Sequence, residues 1–198
     1  MTGWTHHEGI AVVLPEDNID TDRLIPARFM SAPRSEGYGR FLLNDARVAP
    51  DGSPLAHPLN DTHAKILVAG RNFGCGSSRE AAVYALADFG IRAVLAPSFG
   101  DIFAGNAVNN GLLPGVIDEA TFATLTGYLA EPHPVSIDLD SMTLRFGDRQ
   151  ASLSLDPVWR TKITRGWDDI DLTASHRPAL RAFAEARRKM GWTWPATQ

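Results

Sequence analysis

Two rhythms of apolar spacing run along this chain, and the changes between them mark its elements. Gly9-Ile10-Ala11-Val12-Val13-Leu14-Pro15 reads as a strand, after which Glu16 to Asp22 is an Asp-dense turn region. Pro26, Pro33, Gly37, Gly39, Pro50, Gly52, Pro54 and Pro58 follow. So many breakers predict a long excursion, ordered but irregular, and such loops in a compact domain usually carry function.

The middle of the chain is more regular. Ala64 to Ala69 predicts a short apolar strand, Arg71 to Gly76 a glycine-bearing turn, and Ser78 to Asp88 a helix with Ala82, Val83, Leu86 and Ala87 on one face, ended by Gly90. Ile91 to Ala96 is a second strand, Ser98 to Asn109 a second helix, and Gly111 to Pro114 leads into a third extended segment. This β-α-β-α-β order implies parallel strands joined by right-handed crossovers. After a helix over Glu119 to Ala130, the segments Val135 to Leu139, Met142 to Phe146 and Ala151 to Leu155 predict antiparallel strands turning at Asp140-Ser141 and Gly147-Asp148. From Asp156 onward the pattern is mainly helical, clearest over Arg177 to Met190. The expected organisation is one α/β domain over residues 1–155 with a mainly helical extension, 156–198, packed on it.

Composition narrows the class. With 198 residues, 44% of them hydrophobic and 21% charged, the chain is an ordinary globular protein, and its longest apolar runs fall far short of a membrane span. The start, Met1-Thr2-Gly3-Trp4-Thr5-His6-His7, lacks a basic and then apolar leader, so a cytoplasmic location is expected. Charge is uneven: residues 1–159 carry 11 Lys and Arg against 19 Asp and Glu, and residues 160–198 carry 8 against 4. Without interleaved aromatic residues, this basic tail suits a helix face docking on an acidic surface better than nucleic acid. Of the 19 basic residues 16 are arginine, and planar guanidinium forks suit di- or tricarboxylate ligands. The one cysteine, Cys75, excludes an internal disulfide, a cysteine-built zinc site and an iron-sulfur cluster held by this chain.

Chemistry concentrates in Arg71-Asn72-Phe73-Gly74-Cys75-Gly76-Ser77-Ser78-Arg79-Glu80, between a predicted strand and a predicted helix, where open α/β folds place ligands. Gly74 and Gly76 permit close backbone approach, and the free N–H groups of a helix start favour an anion. The segment is not a Walker loop, since the Gly-Lys-Ser/Thr ending is absent. Ser77 admits two readings: the N-cap of a capping box closed by Glu80, or a proton-transfer group whose basicity is raised by Arg79 and helix amides, with Ser78 then capping. Arg79, expected in the first helical turn, opposes the dipole, which an anionic ligand would explain. Cys75 is either a thiolate nucleophile or a small packing residue, and no histidine in the motif supports the first. Asp17, Asp20 and Asp22 lack the glycine and closing glutamate of a calcium loop, which leaves Asx-turn chemistry.

Asp20-Thr21-Asp22 with Ile25-Pro26-Ala27-Arg28, the Asn72 to Glu80 run, Ala96-Pro97-Ser98-Phe99 with Asp101-Ile102-Phe103, and Asn110-Gly111-Leu112-Leu113-Pro114 resemble, in that order, the 3-isopropylmalate dehydratase small subunits of the aconitase superfamily. The resemblance spans about residues 9–115. It implies a swivelling β/β/α domain like the C-terminal domain of aconitase, working with a separate large subunit that holds a [4Fe-4S] cluster. The implied reaction is dehydration and rehydration of 2-isopropylmalate to 3-isopropylmalate in leucine biosynthesis. By motif match Ser77 is the implied base and Arg79 a ligand for a substrate carboxylate, with Gly76, Ser78 and Arg28 as further substrate contacts. The loop from Phe29 to about Leu42 is where the family discriminates substrates. Arg28, Arg34 and Arg40 are its candidate carboxylate contacts, and Phe29 or Met30 its candidates for the alkyl branch. Ala81-Ala82-Val83 and Ala104-Gly105 depart from the His-Ala-Pro and aromatic-Asn of many members. The alternatives are a paralogue for citraconate, a methylated malate or a homoaconitate-type substrate, a carboxylate-binding module without catalysis, and a thiol enzyme using Cys75.

Overall fold

The apolar run after His7 forms a strand because each of its faces meets a different layer. In the computed structural model, which describes residues 2–189 and 191, β1 spans His6–Leu14 and lies in the middle of a seven-stranded sheet. On one side of it, β2 (Ile66–Ala69), β3 (Ala93–Ala96) and β4 (Leu113–Val116) follow in parallel. On the other side, β5 (His133–Asp138), β6 (Thr143–Phe146) and β7 (Arg149–Ser152) pair antiparallel. The order across the sheet is β4-β3-β2-β1-β5-β6-β7. All residues of β2 and β3 are buried, as expected of central parallel strands covered on both faces.

Period-two alternation divides the core. Val12, Leu14, Leu67, Ala69, Val94 and Ala96 face one layer, built from α3 (Glu80–Phe89), Phe103 and Ala107 of α4 (Asp101–Asn109), and the long excursion with its short helices α1 (Thr21–Leu24) and α2 (Asn44–Arg47). Ala11, Ile66, Val68, Ala93 and Leu95 face the other, which holds Leu125 of α5 (Glu119–Tyr128), the antiparallel strands and Ile163 of α6 (Pro157–Arg165). The excursion is anchored by the buried Leu42, Leu43 and Leu59.

Boundaries differ from the sequence reading where polar residues take part in backbone pairing. β1 starts at His6 rather than Gly9, because His6, His7 and Glu8 pair with Asp138, Ile137 and Ser136. β7 begins at Arg149 rather than Ala151, since the tight turn puts Arg149 opposite Phe146. α4 begins at Asp101, because Ser98 and Gly100 are engaged with Phe73.

After β7 comes α6, N-capped by Asp156, then α7 (Asp169–Ser175) and α8 (Arg177–Lys189). The helix expected to reach Met190 runs to Lys189, and Met190 lies outside the described residues. Lys162, almost fully buried, donates to Asn109 Oδ1 of α4 and to Asp169 Oδ1 at 2.6 Å, which ties α6 and α7 to the helix behind the second crossover. No residue of α8 is buried.

The turn after β2 is shaped by one steric demand. Gly74 has φ of +73°, and a Cβ there would sit 2.2 Å from Cγ of Phe103. Phe103 packs edge-on against the fully buried Phe73, with ring centroids 5.3 Å apart. Gly76 also has positive φ, +94°, but a Cβ there would make only ordinary contact with Asp20 at 3.5 Å. Gly74→Ala therefore combines a clash with left-handed strain and destabilises by about 3 kcal/mol, whereas Gly76→Ala carries the strain alone, about 1 kcal/mol. Urea unfolding midpoints check the ranking. In the extension, Ile163→Ala costs about 2–4 kcal/mol as a buried truncation and Phe183→Ala on α8 less than about 0.5 kcal/mol, read by thermal unfolding.

Candidate active site

Three loops leave the carboxyl ends of β1, β2 and β3, and their main chains stitch together. Asn18 N–H donates to Arg71 O (2.8 Å), Gly74 N–H to Ile19 O (2.7 Å) and Thr21 N–H to Cys75 O (3.0 Å). Phe73 N–H donates to Ser98 O (3.1 Å), and Gly100 N–H returns to Phe73 O (2.9 Å). These bonds prolong the parallel pairing beyond the strands as the bridges Asp20 with Cys75 and Phe73 with Phe99. Asn18 and Asn72 both take left-handed backbone, which asparagine tolerates, and Asn72 Nδ2 donates to Asn18 Oδ1 at 2.8 Å.

The acidic turn works as capping and pairing chemistry. Asp17 Oδ1 accepts from Arg71 N–H (2.7 Å), Asp20 caps α1 by accepting from Arg23 N–H (2.7 Å), and Asp22 pairs with Arg79. Among the described residues no cluster of His, Cys, Asp and Glu could hold a metal ion.

The capping box expected at Ser77 is not formed. Helix α3 starts at Glu80, its N-cap is Arg79 in extended conformation, and no side chain caps it. Arg79 thus precedes the helix instead of lying in its first turn, and neither Ser77 nor Ser78 is spent on capping. The N–H groups of Gly76, Ser77 and Ser78 have no acceptor among the described residues, and both serines are exposed. The Arg79 side chain is 18% exposed and, among the described residues, uses Nη1 toward Asp22 and keeps the donors of Nε and Nη2. Cys75 is half-buried, and its carbonyl is held by Thr21.

Beside this turn lies a cavity of about 330 Å³ lined by Asp20, Asp22, Arg23, Pro26, Leu43, Asp45 and Ala46. Two of its acids hold predicted arginines: Asp22 holds Arg79, and Asp45 accepts from both Nη atoms of Arg28, which also reaches Asn44 Oδ1 at 3.3 Å. The Arg28 pair holds the Asp45 carboxyl below its ordinary range. The fold thus brings Arg28 and Arg79 each within one ion pair of the same cavity. Arg23 is a lining cation that the sequence reading does not include; its ion pair to Glu16 is stretched to 4.0 Å. Its position directly after Asp20-Thr21-Asp22 was the available signal.

Other candidates fall elsewhere. Arg34 pairs with Asp88 of α3 (2.5 Å) and lies over Tyr84, and Arg40 pairs with Glu36 (2.5 Å). Asp88 also accepts from Tyr38 N–H at 2.7 Å, so these contacts fasten the excursion to α3. Phe29 stacks on Phe41 with centroids 4.4 Å apart, while Met30 is exposed.

Comparison with known proteins agrees with this architecture. Residues 1–120 match the aconitase C-terminal domain family. The 3-isopropylmalate dehydratase small subunit of Bacillus cytotoxicus is 39% identical over 189 residues, covering 93% of this chain and 97% of that protein. Its counterpart in Shewanella oneidensis is 43% identical over 192 residues, with 92% and 96% covered. A small subunit 1 of the same enzyme in Chromobacterium violaceum is 43% identical, with 93% and 90% covered. The crystal structure of 3-isopropylmalate dehydratase from Methanocaldococcus jannaschii superimposes with a TM-score of 0.68 at 26% identity, covering 89% of this chain and 98% of that one. With its parallel core, its serine-arginine turn and these relatives along nearly its whole length, the chain belongs to the 3-isopropylmalate dehydratase small-subunit family, within the aconitase C-terminal domain fold.

Proposed function

We propose that this chain is the small subunit of a cytoplasmic hydro-lyase that interconverts 2-isopropylmalate and 3-isopropylmalate, in leucine biosynthesis, and is active only with its large subunit. The observation that carries the reading is the turn itself: N–H groups at Gly76, Ser77 and Ser78 without an acceptor among the described residues, an exposed Ser77 hydroxyl, and Arg79 with donors to spare there.

A substrate carboxylate fits this turn through charge-assisted hydrogen bonds from Arg79 and from the Gly76 and Ser78 amides. Arg28 is the second guanidinium, and a dicarboxylate substrate takes the place of Asp45 on it. Pro26, Leu43 and Ala46 offer an apolar flank to the alkyl branch. Ser77 Oγ, as the alkoxide, takes the proton from the carbon next to a bound carboxylate during dehydration, becoming the hydroxyl, and returns it on rehydration to restore the alkoxide. No histidine or carboxylate hydrogen-bonds Ser77 among the described residues, so its basicity has to come from the positive surroundings of amides and Arg79. Departure of the hydroxyl is assigned to the partner. An iron-sulfur cluster does not fit this chain, whose one cysteine cannot supply the ligands, and the large subunit is its proposed holder.

In the assembled enzyme, Ser77→Ala should lower kcat by about 10²–10⁴-fold with little change in KM, the usual effect of removing a general base. Arg79→Lys should raise KM about tenfold, because a point charge does not replace a fork. Cys75→Ala should keep its turnover. Steady-state rates read from the ultraviolet absorbance of the unsaturated intermediate check all three. An active Ser77→Ala beside an inactive Cys75→Ala would replace this mechanism with thiol chemistry, and equal turnover of citraconate would move the substrate to the paralogous reaction.

A further inference from the structure

Thr21 is one of two polar or charged residues that are buried in the described structure, at 2% exposure, and the mechanism above does not use it. Its hydroxyl donates to the carbonyl of Ser77 at 2.9 Å, across 56 positions of sequence. Its backbone N–H donates to the carbonyl of Cys75 at 3.0 Å. One residue therefore grips the turn on both sides of Gly76. Thr21 is itself held in place: it is the first residue of α1, its carbonyl accepts from Ile25 N–H at 3.0 Å, and Asp20 before it caps that helix.

The geometric consequence follows from the planar peptide. In a trans amide the N–H points opposite to the preceding C=O. Drawing the Ser77 carbonyl toward Thr21 therefore aims the Ser78 N–H away from Thr21, out of the domain core. Drawing the Cys75 carbonyl to the same residue aims the Gly76 N–H likewise. The Ser77 Cα is flanked directly by the held Ser77–Ser78 peptide, and the Cys75–Gly76 peptide is held one residue before it, so the two bonds restrict where Ser77 Cβ and its Oγ point. Gly76, with φ of +94°, provides no stiffness of its own and leaves the orientation to these two hydrogen bonds.

We propose that Thr21 is a positioning residue for the proton transfer: its buried hydroxyl sets the Ser77–Ser78 peptide plane, and with it the aim of the Ser77 hydroxyl. The inference rests on the reading of Ser77 as the base. A threonine is suited to the task because a buried hydroxyl without a partner is costly, so the bond to Ser77 is maintained, and its β-branched side chain restricts χ1. Valine has the same shape without the donor, and serine keeps the donor without the methyl.

The test uses the complex with the large subunit. Thr21→Val should lower kcat by about 10–100-fold, the scale of a misplaced reacting group, with KM within about threefold of the wild-type value. Thr21→Ser should recover most of that loss, and the Ser78 amide resonance should shift in the valine variant and return in the serine one. If Thr21→Val does not fold, Thr21→Ala against Thr21→Ser makes the same comparison. Equal rates for valine, serine and threonine, with Ser77→Ala inactive, would overturn the positioning role alone. A fully active Ser77→Ala would overturn the base assignment and this inference with it. Loss of turnover in the serine variant equal to that in valine would show that the methyl packing, and not the hydroxyl, is what matters, and would also overturn it.

Discussion

The site depends on a main-chain pairing that continues after the strands have ended. From Asn18 to Thr21 the backbone runs parallel to Arg71 through Ser77, and its hydrogen bonds to Arg71, Gly74 and Cys75 tie two loops that are more than fifty residues apart in sequence. Each such bond contributes only about 1 kcal/mol net, but together they leave the turn few alternatives. Gly74 must remain glycine to admit Phe103, Asn18 and Asn72 must accept left-handed backbone, and Thr21 must stay buried. Without this pairing, Ser77 and Arg79 would lie on an ordinary mobile βα loop. With it, they project from a frame as well determined as the sheet.

Charge in the site is arranged as arginine–aspartate pairs. Arg28 with Asp45 is largely exposed, and exposed ion pairs contribute about 0–1 kcal/mol, so the proposed carboxylate substrate would displace Asp45 at little cost, whereas Arg79 is 18% exposed and would receive a carboxylate on its remaining donors beside the pair to Asp22. In the proposed mechanism Asp45 keeps Arg28 in place until the substrate takes over. Arg34 with Asp88 is different in kind, because the same carboxylate also receives Tyr38 N–H and an aromatic ring lies under the guanidinium. That pair holds the excursion against α3, which bears the serine turn at its start.

Sequence pattern revealed most of the fold because the central strands are short, apolar and separated by amphipathic helices. It located the ends of elements less well wherever polar residues pair through their backbone, as at His6 to Glu8 and at Ser98. The serine-arginine turn was legible from its composition, but its local geometry was not. Ser77-x-x-Glu80 has the spacing of a capping box, yet the Ser77 carbonyl is drawn to Thr21, Arg79 is extended and the helix starts only at Glu80. That interaction joins distant positions, and no local pattern predicts it. Likewise, nothing in the excursion's string of prolines and arginines distinguishes Arg28, at the cavity, from Arg34 and Arg40, which serve the loop.

With Ser77 as the proposed base, Arg28 and Arg79 as the proposed carboxylate ligands, and one cysteine in the sequence, this chain is proposed to supply half of an active site. The most direct measurement is reconstitution from separately purified subunits, following isopropylmalate turnover as this chain is titrated into a fixed amount of its large subunit. The account predicts no turnover from either subunit alone and a rate that rises to saturation at a fixed ratio. Turnover by this chain alone, or an inert mixture of two folded subunits, would contradict it.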